Sequence, residues 1–315
     1  MKVFITGIEG FAGHHLALDL LGKGEEVFGS FFAEETMGDL KKKCTLFRCD
    51  IRNQDEIAGI LKEVKPEQVY HLAAQSSGAY SFKDSKSTFE INVMGTLNLL
   101  ENILKYSPEA KTLVISSCEV YGVCEGSDLP TKEEKIFYPV SPYGTSKAAQ
   151  DLLAYQYWRS FGLFIIRVRP FPHTGPGQNP VFVLPNFAKQ IAEIERGEKE
   201  PVIEVGNLEV RRDFTDVRDI VKAYQLALTK GEPGEAYNIC SGKTITIGET
   251  LKILLSFTKK EIAIKQDLSR MRPSDISVLA GDGTKFSRKT NWSPQIPFTQ
   301  TLRDLLDWWR EKYSS

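Results

Sequence analysis

The chain has 315 residues, 41% of them hydrophobic, which suffices for a substantial core in one large α/β unit or two lobes. Forty Lys and Arg against 41 Asp and Glu leave a formal net charge of -1, without the basic excess of a nucleic-acid binder, so an anionic ligand must be held by a few placed cations and backbone N–H groups. Met1-Lys2-Val3-Phe4-Ile5 runs straight into a strand-like segment, and no apolar run approaches the ~20 residues of a membrane helix, which predicts a cytoplasmic protein that engages no membrane. The five Cys are odd in number and lack zinc spacing, and the four His form no metal pattern, so reduced thiols and no metal site are expected.

An apolar run over residues 2–6 predicts the first strand, and Gly7-x-x-Gly10-x-x-Gly13, with Phe11 inside it, leads into a helical segment over 14–22. Glycines there permit a tight turn, let backbone approach a pyrophosphate, and pack helix on strand. The phosphates then meet the unpaired N–H groups and positive dipole end of the helix. An ordinary glycine-rich βα turn is the plainer alternative. A second strand over 26–29 ends in Gly29-Ser30-Phe31-Phe32, which offers neither an acid for a ribose 2′-hydroxyl nor an Arg for a 2′-phosphate. NADP or NAD is therefore expected, with a slight preference for NADP.

A third strand over 46–49 leads to Asp50-Ile51, where Asp50 either accepts from an adenine amino group or serves as a loop acid or helix N-cap. After a helix over 54–64, a fourth strand over 68–72 ends in Leu72-Ala73-Ala74. Those small residues either leave room for a cofactor or simply pack closely. A helix over 89–106 precedes a fifth strand over 112–116, followed by Ser117 and Glu119. Ligands of parallel sheets bind at the carboxyl ends of strands, so Ser117 can polarise a substrate carbonyl; alternatively it bonds its own backbone. Glu119 reads equally as a carbon-acid base or a surface carboxylate.

Tyr143-Gly144-Thr145-Ser146-Lys147 opens a helix over 143–161. Residues four apart share a helix face, so the ammonium can lower the phenol pKa from its usual value of about 10, and Tyr143 can then exchange a proton with a carbinol oxygen. Spacing alone is weak, since most such pairs are solvated faces. The Gly-rich turn and Ser117 upstream give it weight. A strand over 164–169 ends at Pro170, a further cofactor-binding candidate, and five prolines between 170 and 185 predict irregular chain crossing to a second lobe. Helices over 217–229 and 246–257 and strands over 202–205 and 236–240 follow. The fold class is α/β: a doubly wound parallel sheet of Rossmann type with a smaller C-terminal α/β substrate lobe. Residues 1–171 with about 211–241 form the first domain, and 172–210 with 242–315 the second.

Taken together the motifs resemble the extended short-chain dehydrogenase/reductase family, in its nucleotide-sugar branch. They are the glycine turn, His71-Leu72-Ala73-Ala74, Asn92-Val93-Met94-Gly95-Thr96, Ser116-Ser117-Cys118-Glu119-Val120-Tyr121-Gly122, Tyr143-x-x-x-Lys147, Gly175-Pro176-Gly177-Gln178, Arg212-Asp213-Phe214 and Arg272-Pro273. The resemblance implies NAD(P)H-dependent reduction of the C4 carbonyl of GDP-4-keto-6-deoxy-D-mannose to GDP-D-rhamnose. Ser117, Tyr143 and Lys147 would be catalytic, and Arg212 and Arg272 would hold the substrate diphosphate unless they are surface ion-pair partners. The alternatives are a GDP-mannose 4,6-dehydratase with bound NADP, in which Glu119 would be the base, or another epimerase or dehydratase of nucleotide sugars. Two departures stand out. Pro172 replaces a family Asn that touches the sugar nucleotide, and Cys118 replaces the Asp that some dehydratases use as an acid. In relatives the helices over 89–106 and 143–161 form a homodimer interface; Leu152, Leu153 and Tyr157 suit that role or packing on the sheet.

Overall fold

The computed structural model describes residues 1–33, 38–270 and 276–312. Its centre is a seven-stranded sheet of β1 (Lys2–Thr6), β2 (Glu26–Phe31), β3 (Thr45–Arg48), β4 (Gln68–His71), β5 (Lys111–Ile115), β6 (Ile165–Pro170) and β11 (Ala236–Ile239), in the order β11-β6-β5-β4-β1-β2-β3. All its neighbours pair in parallel. A sheet covered on both faces buries its strands along their length, and β1 beyond Lys2 and all of β6 are buried, the two arginines of β6 included. The order reverses between β1 and β4, so a crevice opens at their carboxyl ends.

Helices α1 (Phe11–Gly22) and α8 (Val217–Lys230) pack on one face, where Leu16, Leu20, Ile220 and Tyr224 meet Val3, Ile5 and Tyr70. On the other face, α2 (Gln54–Val64) and α5 (Gly95–Tyr106) bury Ile57, Leu61, Leu100 and Ile103 against Phe4, Val69 and Val114. The long α6 (Pro142–Phe161) joins them through Ala154 and Tyr157. Local chemistry sets these ends. Asn53 accepts from Asp55 and Glu56 N–H to start α2, and Ser141 caps α6 with Pro142 in its first turn and Gly162 (φ 73°) at its end. Two short helices, α3 (Gly78–Lys83) and α4 (Ser85–Phe89), precede a π-helical turn, Glu90–Met94.

The remaining elements are β7 (His173–Thr174), α7 (Val183–Glu195), β8 (Val202–Val205), β9 (Arg211–Asp213), β10 (Thr215–Asp216), β12 (Thr244–Thr246), α9 (Ile247–Leu255), β13 (Ala263–Gln266), β14 (Val278–Leu279), α10 (Thr284–Thr290) and α11 (Phe298–Lys312). Leu184, Phe187, Ile191, Leu251, Leu305 and Trp309 give α7, α9 and α11 their own core, which also takes in Ile203 and Val205 of β8.

Two expectations change. The stretch 170–185 is not irregular to its end, because α7 begins at Val183; Pro185 fits in the first turn, where its missing N–H has no intrahelical partner to lose. The helix expected without interruption over 89–106 contains the π turn. Such turns recur at functional sites, and this one carries Asn92, whose side chain donates to Ser146 Oγ (2.9 Å) and Gln75 O (3.0 Å).

Candidate active site

The glycine turn sits at the switch point. Gly7 has φ 67°, and a β-carbon there would lie 2.7 Å from Ala73 Cα; one on Gly13 would lie 2.5 Å from Gly7 O. The turn is thus pressed between the carboxyl ends of β1 and β4, with no room for side chains at either glycine. Gly10 is exposed and serves as N-cap of α1, whose first turn holds no acid. The first N–H groups of α1 lack intrahelical acceptors. This cradle fits a dinucleotide pyrophosphate. Leu72, Ala73 and Ala74 are half-buried beside it, and Ala73 N–H donates to Thr6 Oγ1 (3.1 Å). Phe11 stacks on His173 (centroids 6.1 Å apart) across the same region.

Asp50 follows β3. Arg52 holds its carboxylate through Nη2 (2.6 Å) and Nε (3.0 Å), and that pairing keeps the Asp50 pKa below the usual range. A surface cleft of about 420 Å³ opens there, lined by Asp50, Arg52, Asn53, Glu90 and Met94. Ile51 is buried, at side-chain contact distance from Gly95 of α5.

Ser117 lies just beyond β5. Its Oγ accepts the Glu119 N–H (3.1 Å), the local backbone bond typical of such hydroxyls, and also meets the Tyr143 phenol. Ser116 points elsewhere and donates to Lys147 O (3.3 Å), so Ser117 supplies the hydroxyl that meets Tyr143. Tyr143 and Lys147 occupy the first turns of α6, as their spacing predicts. Their electrostatics differ from the expectation. Burial, then the Glu119 carboxylate, push the phenol pKa upward, and Ser117 only partly offsets them. Lys147 Nζ donates to Ile115 O (2.8 Å) and Gln150 Oε1 (2.7 Å), and burial lowers its pKa to about 7. The predicted lowering of the Tyr143 pKa by Lys147 is therefore corrected: desolvation and the Glu119 carboxylate raise it instead.

Behind Lys147 runs a buried chain that sequence reading missed. Gln150 Nε2 and His71 Nε2 each lie 2.8 Å from Thr96 Oγ1, Thr96 donates to Asn92 O (2.6 Å), and His71 Nδ1 lies 2.8 Å from Thr6 Oγ1. Desolvation, then the nearby Lys147, push the His71 pKa down to about 3, so the ring is neutral and links the two threonines. Gln150 is 0% exposed on the same helix as Lys147, and a polar residue at an inward helical position was the available signal.

Cys118 is buried, and desolvation raises its thiol pKa well above the usual value; the neighbouring Arg212 works against that. Glu119 Oε2 accepts from Ser141 Oγ (3.1 Å), the cap of α6. Arg212, on β9, donates to Arg211 O (2.9 Å), and its effect on Cys118 puts its charge on this side of the molecule. Pro170 ends β6, and Arg272 lies outside the described residues. Lys189 pairs with Glu193 along α7 (3.5 Å). Of the expected interface residues, Tyr157 and Leu153 pack on the sheet cluster, whereas Leu152 is 58% exposed.

Comparison with known proteins gives a consistent result. A family profile described as GDP-mannose 4,6 dehydratase matches residues 4–305. GDP-6-deoxy-D-mannose reductase of Pseudomonas aeruginosa is 35% identical, over 99% of this chain and 98% of that protein. Human GDP-mannose 4,6 dehydratase is 29% identical, over 96% of this chain and 89% of its own length. Among solved structures, RMD from Pseudomonas aeruginosa complexed with NADPH superposes with a TM-score of 0.88 at 34% identity, covering 99% of both chains. The UDP-glucose 4-epimerase of Thermus thermophilus complexed with NAD superposes at 0.89, with 29% identity over 98% of this chain and 99% of that one.

Proposed function

The chain belongs to the GDP-mannose 4,6-dehydratase-like family of short-chain dehydrogenase/reductases, and from that premise we propose that it reduces the C4 carbonyl of GDP-4-keto-6-deoxy-D-mannose to GDP-D-rhamnose with NADPH or NADH. A bound reduced nicotinamide would supply the hydride. The chain's own residues handle the proton. Tyr143, held protonated at neutral pH by burial and by Glu119, gives its phenolic proton to the oxygen at C4, and Ser117 donates a hydrogen bond to the same oxygen. Lys147 is positioned by Gln150 and Ile115 O to favour the phenolate left behind. Gly7, Gly10, Phe11, Gly13, Asp50, Ile51, Leu72, Ala73, Ala74 and Pro170 line the cofactor side. Arg212 and Arg272 hold the substrate diphosphate, which suits bidentate guanidinium–phosphate pairing.

The observation that carries reduction over dehydration lies at 118–119. Dehydration needs a base for the C5 proton and an acid for the C6 hydroxyl. Cys118 is a buried neutral thiol, and Glu119 is engaged with the cap of α6. The test is incubation of the purified protein with GDP-4-keto-6-deoxy-D-mannose and NADPH or NADH, and separately with GDP-mannose and no added reductant. Nicotinamide oxidation in the first and no GDP-mannose loss in the second are expected. Loss of GDP-mannose without reductant would overturn the assignment in favour of the dehydratase.

The same reading makes the protein a cytoplasmic homodimer with 1–171 plus about 211–241 as its nucleotide domain and 172–210 plus 242–315 as its substrate lobe. Supporting it are five cysteines that form no disulfide, exposed Leu152, Tyr155 and Phe161 on α6, and Met94 beside α5. No helix among the described residues is long and apolar enough to cross a membrane. Light scattering in solution tests the dimer.

A further inference from the structure

No acid ends β2 in the sequence, yet the fold brings one there. Glu9, inside the glycine turn, accepts the backbone N–H of Phe32 through Oε1 at 2.8 Å, one residue past the end of β2. The turn is stitched to the same strand nearby. Ile8 N–H donates to Ser30 O (3.1 Å), and the Ile8 side chain lies so close over Gly29 that a β-carbon there would meet its Cδ1 at 2.4 Å. The position of the Glu9 side chain is therefore set by both its neighbours in the turn and its backbone partner.

In a doubly wound sheet the adenosine ribose lies over the carboxyl end of β2, and an acid there accepts its 2′-hydroxyl while a guanidinium accommodates a 2′-phosphate. At the neighbouring strand end, Arg52 is committed to Asp50 (2.6 Å) and Glu90 (3.7 Å). We propose that Glu9 is the cofactor-specificity residue of this chain, accepting the ribose 2′-hydroxyl of NADH and opposing the 2′-phosphate of NADPH. The proposal rests on the reading of the glycine turn as a dinucleotide site. The discriminating charge comes from the turn rather than from β2, and it moderates the affinity for NADPH so that NADH also competes for the site.

The test is a binding measurement, independent of turnover. Dissociation constants for NADH, NADPH, 5′-AMP and 2′,5′-ADP are measured by calorimetry on the wild-type chain, Glu9→Gln and Glu9→Ala. Gln keeps an acceptor for Phe32 N–H and removes the charge, and thermal unfolding of each variant checks the fold. A hydrogen bond to a charged group contributes ~1.5–3 kcal/mol, so the NADPH/NADH ratio of dissociation constants is expected to fall about tenfold to a hundredfold in Glu9→Gln, with a parallel shift in the fragment pair. An unchanged ratio in folded Glu9→Gln and Glu9→Ala would overturn the role of Glu9 and leave the dinucleotide site standing. No binding of any of the four ligands to the wild-type chain would overturn both.

Discussion

Lys147 Nζ donates to Gln150 Oε1 at 2.7 Å, one helical turn along α6 and on the side away from solvent. The partner is neutral, as is Ile115 O, so the two acceptors orient the ammonium without neutralising it. Burial then governs its titration, with a pKa of about 7 against an ordinary 10.5. The charged form dominates below about pH 7 and declines above it. We expect kcat/KM to fall as pH rises through that value. Gln150→Leu should move this limb to lower pH and Gln150→Glu to higher pH, read from pH–rate profiles. Folding stability carries the opposite limb. Between about pH 7 and 10.5 the unfolded chain binds more protons at this lysine, so its contribution to stability rises with pH, and Lys147→Met should remove that slope in denaturant titrations.

Tyr143→Phe removes the proton donor and leaves the α6 cap intact. A loss of about 10²–10⁴ in kcat is expected, with cofactor affinity retained. Steady-state nicotinamide oxidation alongside calorimetric binding separates the two quantities.

Glu119→Gln distinguishes the two reaction classes. A reductase loses only the electrostatic support that keeps the phenol protonated, so turnover should stay within about tenfold of wild type, because neutral Gln still accepts the Ser141 hydroxyl. Near-complete loss of nicotinamide oxidation would show Glu119 in direct chemistry.

Gly13→Ala places a methyl 2.5 Å from Gly7 O and 3.0 Å from Ile8 Cα, both backbone atoms that cannot step aside. The turn must then open. We expect the thermal stabilisation by NADPH or NADH to vanish in this variant, as measured by unfolding with and without cofactor.

Asp151, 0% exposed, holds two guanidinium groups, Arg167 at 2.6 Å and Arg169 at 2.9 Å. Asp151→Asn leaves both charges buried beside a neutral amide. A destabilisation of about 3–5 kcal/mol is expected from urea unfolding.

Much of the sheet was legible along the chain. The expected bounds of residues 2–6, 54–64 and 202–205 coincide with β1, α2 and β8, where apolar periodicity runs uninterrupted and, for α2, Asn53 marks the start. The π turn at Glu90–Met94 was not legible, because its residues keep helical periodicity and one extra residue per turn leaves no compositional mark. Nor was the division of α6, where Tyr157 faces the sheet and Leu152 faces out.

The sequence by itself determined what lies within one turn or one strand: the glycine turn after β1, the shared helix face of Tyr143 and Lys147, and Ser117 at a strand end. These follow from helical and extended geometry acting over a few residues. Tertiary structure alone decided that Lys147 turns to Gln150 and Ile115, that the phenol pKa rises, that Cys118 is buried, and that Glu9 reaches Phe32. Desolvation and hydrogen bonding between residues distant in the chain depend on what packs around a group, and spacing in the chain does not encode that.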